Sequence, residues 1–285
     1  MGRVTGPCPR RSGLCGAGGR WKSHRKVING ILFRQRTGIP WRDPPTRFGR
    51  WKTVYDRHRR WSADGTWERI LRGVQADTDT EGRIDRSMVS VDSTSCRVRQ
   101  HAAGARPRAP RIPGRRGRPV QHRGDEALGR SRGGLTCKIH LASEGGRRPL
   151  AFVITPGQWG DAPQLIPVLE RIRDPRPSGG HPRMRPDHVS GGKGYSSRRN
   201  RSYLRRRRIK HTIPERKGQR ANRRRRGSTG GRPTGFESTM CRGRNEVERT
   251  IIALKGFRTV ASRFDKGAYV FHGTVIAAVR LWIRS

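Results

Sequence analysis

The chain has 285 residues, of which 65 are Lys or Arg and only 21 are Asp or Glu, so its formal net charge is +44 at pH 7. A compact protein with this charge repels itself unless polyanions neutralise it, and nucleic acid is therefore the expected partner. Hydrophobic residues make up 31% and aromatic residues 6%, which predicts that part of the length is loop or unpacked tail.

The sequence pattern and the cysteine count disfavour several protein classes. A membrane-surface protein would need amphipathic helices rich in Lys and Arg, whereas these arginines are spread through loops. No apolar run reaches membrane-spanning length, and the N-terminus lacks the pattern of a targeting peptide. The five cysteines show no spacing that suits zinc, and their odd number fits free thiols in a reducing cytosol. We expect a soluble protein that binds neither membranes nor a small-molecule substrate.

The N-terminal part divides into two segments of different composition. Residues 1–20 contain six glycines, four arginines and no acid, and we predict that they are disordered. Residues 21–80 then carry three apolar stripes at helical spacing, which predict a small all-helical domain. Its tryptophans are predicted to pack the core, and five arginines are predicted to lie on outer faces: Arg57, Arg59, Arg60, Arg69 and Arg72. A DNA-binding module is favoured by these cations, and a plain packing domain is the alternative.

A short strand follows at residues 88–94. Val89 and Val91 fall on one face of this strand, and Ser90 and Asp92 fall on the other, which is the alternation of a half-buried strand. The strand runs directly into Asp92, so a carboxylate is predicted at its end.

The remaining chain, residues 86–285, alternates between strands and helices. Residues 106–123 hold seven arginines, four prolines and no acid, and are predicted to form a disordered basic insert. Strands are predicted at 135–142, 150–155, 187–191 and 209–213, and helices at 161–173, 196–207, about 242–255 and 269–283, with a basic loop at 216–235. This order predicts an α/β fold with a mixed sheet flanked by helices. It is also the order of ribonuclease-H-like folds.

The late helix carries charged residues along one line. At about 100° per residue, Arg244, Glu248 and Lys255 fall on one narrow stripe. One acid flanked by two cations would suit a metal ligand with phosphate-binding neighbours. An ordinary surface ladder of i,i+4 ion pairs is the alternative.

Several phrases of the chain resemble bacterial insertion-sequence transposases, specifically the insertion-sequence-five family of the DDE superfamily. The resemblance covers residues 21–105 and 124–285 and is carried by VINGILFRQRTGIPWRDPP, WKTVYDRHRRWSADGTWERIL, VDSTSCR, PLAFVITPGQWGDAPQLIPVLERI and RNEVERTIIALKGFR. It implies a ribonuclease-H-like catalytic domain behind a helical DNA-binding domain. The implied activity is metal-dependent cleavage and strand transfer of DNA at the element's ends.

The resemblance also implies roles for particular residues. Asp92 matches the family's first acid and Glu248 its last, so both would be catalytic and would bind Mg²⁺ or Mn²⁺ in a two-ion site. Lys193, Arg244 and Lys255 would bind phosphates. The implied partners are double-stranded DNA, as inverted repeats and as target, and further copies of the chain on that DNA. The implied location is the bacterial cytoplasm, in association with the nucleoid.

Two positions depart from the family pattern. Cys241 replaces the tyrosine of the family's tyrosine–arginine–glutamate–lysine signature, whose other members are matched by Arg244, Glu248 and Lys255. Gly192 stands where the second catalytic aspartate should be, and glycine offers no oxygen ligand to a hard cation. Asp187 lies five residues earlier, on the opposite strand face and some 16 Å away, and cannot replace it. Asp161 begins a predicted helix and is expected to be an N-terminal cap.

We therefore expect a transposase with impaired strand transfer. A catalytically dead remnant that only occupies element ends is the first alternative. A basic RNA-binding protein is the second alternative, although no aromatic RNA-stacking motif is present.

Overall fold

The computed structural model describes residues 23–82, 84–85, 87–103, 126–131, 134–173, 181–231, 233 and 245–283. The predicted disordered segments 1–20 and 106–123, and the positions of Arg244 and Cys241, lie outside the described residues. The helices of the described part are α1 (His24–Thr37), α2 (Trp51–Ala63), α3 (Thr66–Thr80), α4 (Gln100–Ala103), α5 (Leu165–Glu170), α6 (Arg198–Arg206), α7 (Lys217–Arg225), α8 (Asn245–Gly256), α9 (Arg258–Ala261) and α10 (Ala268–Ile283). The strands are β1 (Val89–Val98), β2 (Gly129–Ser131), β3 (Gly134–Glu144), β4 (Pro149–Pro156), β5 (His188–Gly191), β6 (Lys210–Thr212) and β7 (Ser262–Arg263).

The strands form one mixed sheet, with β1 near its centre. β3 pairs antiparallel with β1, and β4 pairs antiparallel with β3. On the other side of β1, β5 pairs parallel with β1 and β6 pairs parallel with β5. This is the ribonuclease-H-like mixed sheet that the order of elements predicted, with the short strands β2 and β7 added at β3 and β1.

Helices cover both faces of the sheet, because the central strands carry apolar residues on both faces. Val89 and Val91 of β1 pack into one core with residues of α5 and α6. Cys96 of β1 and Leu141 of β3 pack into the other core, together with residues of α8 and α10. β1 is longer than predicted, since its pairing with β3 continues to Arg97. Asp92 therefore lies in the middle of β1 and not at its end, which corrects the prediction.

The predicted N-terminal helices are present as α1, α2 and α3. Trp61 and Trp67 are buried, as expected, while Trp41 and Trp51 are half-buried. The helices share the second core with α10, and at Gly273 of α10 a Cβ atom would lie only 2.1 Å from the Ser62 hydroxyl. This close approach means that α10 packs directly on α2. The division of the chain into a helical and a catalytic domain stays a prediction.

A buried polar group joins α1 and α2 to the segment that leads into α10; we call it the Arg34–Asp265 cluster. The Arg34 side chain is 1% exposed, and its Nη2 atom lies 3.8 Å from Asp265 Oδ1. Asp265 also accepts hydrogen bonds from Trp41 Nε1 (2.9 Å) and Thr274 Oγ1 (2.7 Å). Burial lowers the pKa of His58, which contacts Thr274 Oγ1, to about 4. These contacts fix α1 and α2 to α10.

Two further predictions about the helices are corrected. Arg57 is buried, with its Nη1 atom 3.2 Å from His24 Nδ1, and so does not belong to the outer face. Arg59, Arg60, Arg69 and Arg72 are exposed. The basic loop predicted at 216–235 contains α7, which the sequence pattern missed because none of its residues is buried. None of the described helices, α10 included, is long and apolar enough to cross a bilayer.

Candidate active-site corner

The pairing of β1 with β5 brings the first predicted acid beside the anomalous glycine. Val91 of β1 is the register partner of Gly191, the last residue of β5. One residue further along each chain stand Asp92 and Gly192, which therefore lie side by side where β5 ends. The backbone of Gly192 has φ −69° and ψ 168°, a region open to any residue. The region between Asp92, Gly192 and α8 is called the acid corner below.

Helix α8 lies on the Asp92 face of the sheet and is held at both ends. Near its start, Glu246 forms an ion pair with Arg147, and Thr250 Oγ1 donates to the Arg147 carbonyl (3.1 Å). Arg147 lies in the turn after β3, close to Glu144, which pairs with the first residue of β1. Near its end, Lys255 Nζ lies 3.5 Å from the Ser95 carbonyl. α8 therefore runs parallel to β1.

This direction aligns Glu248 with Asp92. Lys255 is seven positions after Glu248 in the helix, a rise of about 10 Å. Ser95 is three positions after Asp92 in the strand, which is also about 10 Å. Glu248 lies about 160° around the helix from both Glu246 and Thr250, on the side turned away from the β3–β4 turn. From these equal lengths we predict that Glu248 and Asp92 lie at similar heights along the sheet. Both carboxylates are half-buried.

The predicted phosphate-binding residues are placed differently from one another. Lys255 shares the side of α8 that carries Glu248, as the spacing predicted. Lys193 is exposed and opens a short 3₁₀ turn, Lys193–Tyr195, directly after Gly192. Arg244 lies outside the described residues. Asp187 is exposed and precedes β5, at the end of the strand opposite to Gly192.

Asp161 is not the helix cap that its position suggested. Its side chain makes no capping hydrogen bond. It instead accepts a hydrogen bond from Ser93 Oγ (2.8 Å) and forms an ion pair with Lys138 Nζ (3.1 Å). Both partners come from strands that are remote in the chain, so the local sequence gave no signal for them. A cation in β3 and a hydroxyl in β1 hold Asp161 on the sheet more strongly than a cap would.

Asp161 approaches the sheet from the face opposite to Asp92. Ser93 is the register partner of His140, whereas Asp92 is the partner of Leu141, whose side chain packs against α8. Adjacent residues of a strand point to opposite faces. Burial lowers the pKa of His140 to about 4, so His140 is neutral at pH 7 and its contact with Asp161 is not an ion pair.

The donor set of the acid corner does not fit the two-ion site expected of it. Mg²⁺ and Mn²⁺ are hard cations that take oxygen ligands, above all carboxylates. Across the described parts of the chain, no group of three or more His, Cys, Asp and Glu side chains could hold a metal ion. The corner offers Asp92 and Glu248, with glycine at the third position.

Comparisons with known proteins identify the family of the chain. Residues 83–277 match the family profile described as "Transposase DDE domain". Residues 6–71 match a second profile, described as "Putative transposase of IS4/5 family".

Individual relatives cover smaller parts of the chain. A "Putative transposase for insertion sequence element IS402" from Burkholderia cepacia is 33% identical over 139 residues, which are 49% of this chain and 58% of that protein. An uncharacterised 16.2 kDa protein of the same insertion element is 38% identical over 78 residues, 27% of this chain and 53% of that protein. The uncharacterised protein y4sN of Sinorhizobium fredii is 34% identical over 104 residues, 36% of this chain and 77% of that protein.

Two solved structures share a weak likeness. The "Mos1 transposase paired-end complex with left transposon end" has a TM-score of 0.26 and 14% identity, covering 84% of this chain and 65% of that one. A pre-cleavage Mos1 transpososome has a TM-score of 0.25 and 8% identity, covering 94% of this chain and 80% of that one.

Proposed function

Since the chain belongs to the DDE transposase family, with an N-terminal part of the IS4/5 type, we propose that it is the transposase of a bacterial insertion sequence with impaired catalysis. The proposed reaction is cleavage of a phosphodiester at the element's ends, followed by attack of the freed 3′-hydroxyl on target DNA. The proposed partners are double-stranded DNA, as inverted repeats and target, and further copies of the chain assembled on it. The proposed location is the bacterial nucleoid.

We assign the acids and cations of the corner to separate tasks. Asp92 and Glu248 are the proposed catalytic residues and would hold a divalent cation, Mg²⁺ or Mn²⁺, which in this family would stabilise the attacking and leaving oxygens. Lys193, which directly follows Gly192, Lys255, which is on the same side of α8 as Glu248, and Arg244 would bind the phosphates of the DNA strand. Asp92 accepts a hydrogen bond from its neighbouring Ser93 backbone N–H (2.8 Å), which orients the carboxylate.

The observation that supports impairment is the register of β1 and β5. It sets Gly192 beside Asp92, at the position where the family carries its second aspartate, and glycine has no side chain to offer a cation. Two carboxylates hold one hard cation weakly, and a second ion at about 3.5–4 Å needs a shared ligand between them. The expected result is weak or absent cleavage, with DNA binding retained.

The substitution Gly192→Asp tests this proposal. Because the backbone at 192 suits any residue, the variant should fold, and we expect its Mn²⁺ affinity and its Mg²⁺-dependent cleavage of end-bearing DNA to rise by at least about tenfold. Mn²⁺ binding measured by electron paramagnetic resonance provides a readout independent of cleavage. Gly192→Asn is the matched control, since it has the same shape without the charge.

Two outcomes would contradict the proposal. Equal and robust cleavage by the native chain and by Gly192→Asp would show that the third carboxylate is not needed. Equal gains from the Asp and Asn variants would show that the side chain at 192 acts through packing and not through a cation.

A second candidate function is a DNA-binding remnant that occupies element ends or enters oligomers of intact copies without cutting. The incomplete acid set favours it. Retained binding to inverted repeats, with no nicking in Mg²⁺ or Mn²⁺, would select it. A basic RNA-binding protein is a third candidate, and a preference for RNA over inverted-repeat duplexes would select that one.

A further inference from the structure

The edge strand β6 opens onto a cationic groove between α6, α7 and the 3₁₀ turn Gly227–Gly230; we call it the edge groove. Its volume is about 1310 Å³. Six cationic side chains line it: Arg198, Arg201, Arg205, Lys210, Arg223 and Arg226. Glu215 is the only acid among the described lining residues. It already forms an ion pair with Arg223, whose Nη2 atom lies 3.2 Å from Glu215 Oε2. The groove is therefore strongly positive.

Its lining excludes an ordinary small-molecule pocket. Such pockets have volumes of about 300–1,000 Å³ and are mainly apolar, whereas this groove is larger and lined mainly by charged and polar side chains. One of the guanidinium groups is also incompletely satisfied. Arg201 donates from Nη2 to the Ile213 carbonyl (3.0 Å), while its Nε is buried without a hydrogen-bond partner.

The lining also distinguishes between kinds of nucleic acid. Sites for single strands stack bases on aromatic side chains, and no Phe, Tyr or Trp is present among the described lining residues. The lining includes two histidines, of which His188 is buried and His211 half-buried. Arginine and lysine without Phe, Tyr or Trp beside them suit the phosphates of a duplex, whose bases remain paired and stacked. The groove therefore favours the backbone of double-stranded DNA.

The edge groove is physically connected to the acid corner. Arg216, which precedes α7, donates from Nε to the Lys193 carbonyl (3.1 Å) and from Nη2 to the Gly194 carbonyl (3.0 Å). Gln219 of α7 donates to the Ser196 carbonyl (3.0 Å) and accepts from the Ser196 hydroxyl (2.5 Å). One wall of the groove is thus fixed to the loop that begins at Gly192.

We propose that the edge groove binds the sugar–phosphate backbone of duplex DNA that extends from the acid corner, without reading its sequence. This inference rests on the proposed function, because that function supplies the DNA at the corner. Phosphate contacts fix the register and orientation of a duplex but carry no sequence information. The groove would hold the DNA beyond the cleavage position equally well in any sequence.

The test compares two charge-matched double variants of the full chain. Arg205→Gln/Arg226→Gln removes two exposed cations of the groove. Arg97→Gln/Arg130→Gln removes two exposed cations from β1 and β2, away from the groove. Fluorescence anisotropy measures binding to a labelled duplex with an inverted repeat and to a scrambled duplex of equal length, each over a salt series.

The expected result is a change in salt dependence that is the same on both duplexes. Loss of two phosphate contacts should reduce the slope of log K against log[salt] by about 1.8 in the groove variant and by much less in the control. The ratio of affinities for the two duplexes should not change.

Three outcomes separate the possibilities. Equal slopes for the groove variant and the control would overturn the inference. A groove effect seen only with single-stranded RNA or DNA would also overturn it. The groove variant could change the salt slope while the native chain shows no preference for the inverted-repeat duplex. That result would refute end recognition by the proposed transposase but would support the groove as a duplex-binding surface.

Discussion

Arginine has opposite surroundings in the Arg34–Asp265 cluster and in the edge groove. In the cluster a single arginine is fully buried, lies over the Trp41 ring with its Cζ atom 4.0 Å from the ring centroid, and has one carboxylate nearby. In the groove several arginines share one acid and keep contact with water. Buried charges in this chain therefore affect the stability of the fold, whereas exposed charges remain available to bind a partner.

The largest effect is expected from breaking the buried pair. Asp265→Asn keeps the shape but leaves Arg34 as an unpaired buried cation, so we expect the free energy of unfolding to fall by about 3–5 kcal/mol. Urea unfolding measures it. The double variant Arg34→Met/Asp265→Asn should recover part of the loss, because it removes the stranded charge. A loss below about 1 kcal/mol for Asp265→Asn would show that the pair does not hold the cluster together.

The next effect concerns His58 and His140, each taken singly; both are buried and have a lowered pKa. The pKa values of His58 and His140 are about 4, below the ordinary 6.5, because burial disfavours the charged ring. Between pH 4 and pH 6.5 the unfolded chain binds more protons than the folded chain. The stabilisation that comes from the neutral rings is therefore fully present above pH 6.5 and is lost as the pH drops towards 4. Each histidine should contribute roughly 1.4 kcal/mol per pH unit.

The variant His140→Gln isolates one of these contributions. It retains an amide that can contact Thr155, the present hydrogen-bond partner of His140 Nε2 at 2.9 Å, but it cannot titrate. Thermal or urea unfolding at several pH values should therefore show a smaller loss between pH 6.5 and 4 than in the native chain. Identical slopes for both proteins would contradict the lowered pKa.

The smallest effect is expected in the edge groove. Arg205→Gln/Arg226→Gln should change the free energy of unfolding by less than about 0.5 kcal/mol, since surface substitutions away from buried networks are nearly neutral. Urea unfolding of this variant and of Asp265→Asn under the same conditions compares the two regions directly. A loss similar to that of the buried pair would mean that the groove arginines stabilise the fold, and the contrast between the two regions would disappear.

The sequence predicted most of the regular elements because their apolar residues recur with a clear period. The strands β1, β3, β4, β5 and β6, the three N-terminal helices and α10 were all found in this way. Helix α7 was missed because it buries no residue and so shows no apolar period. Strands β2 and β7 have three and two residues, too few to show an apolar period, and they are identified by their pairing with β3 and β1.

The candidate site was less accessible to prediction, since its contacts join distant parts of the chain. The motif identified Asp92, Glu248 and Gly192, but not the register that sets Asp92 beside Gly192. The partners of Asp161 lie on β1 and β3, so its role could not follow from its place before a helix. Arg57 was misplaced because a helix surrounded on several sides has no single outer face.

The burial of α10 has a consequence for the history of such a gene. Eleven of its sixteen residues are buried, and they pack against the amino-terminal helices as well as against the sheet. A truncated product without those helices would expose an apolar surface of α10 to solvent, and we expect it to aggregate or to be degraded. Exchange of amino-terminal halves between diverged elements should therefore yield viable hybrids only when the last helix is exchanged with them.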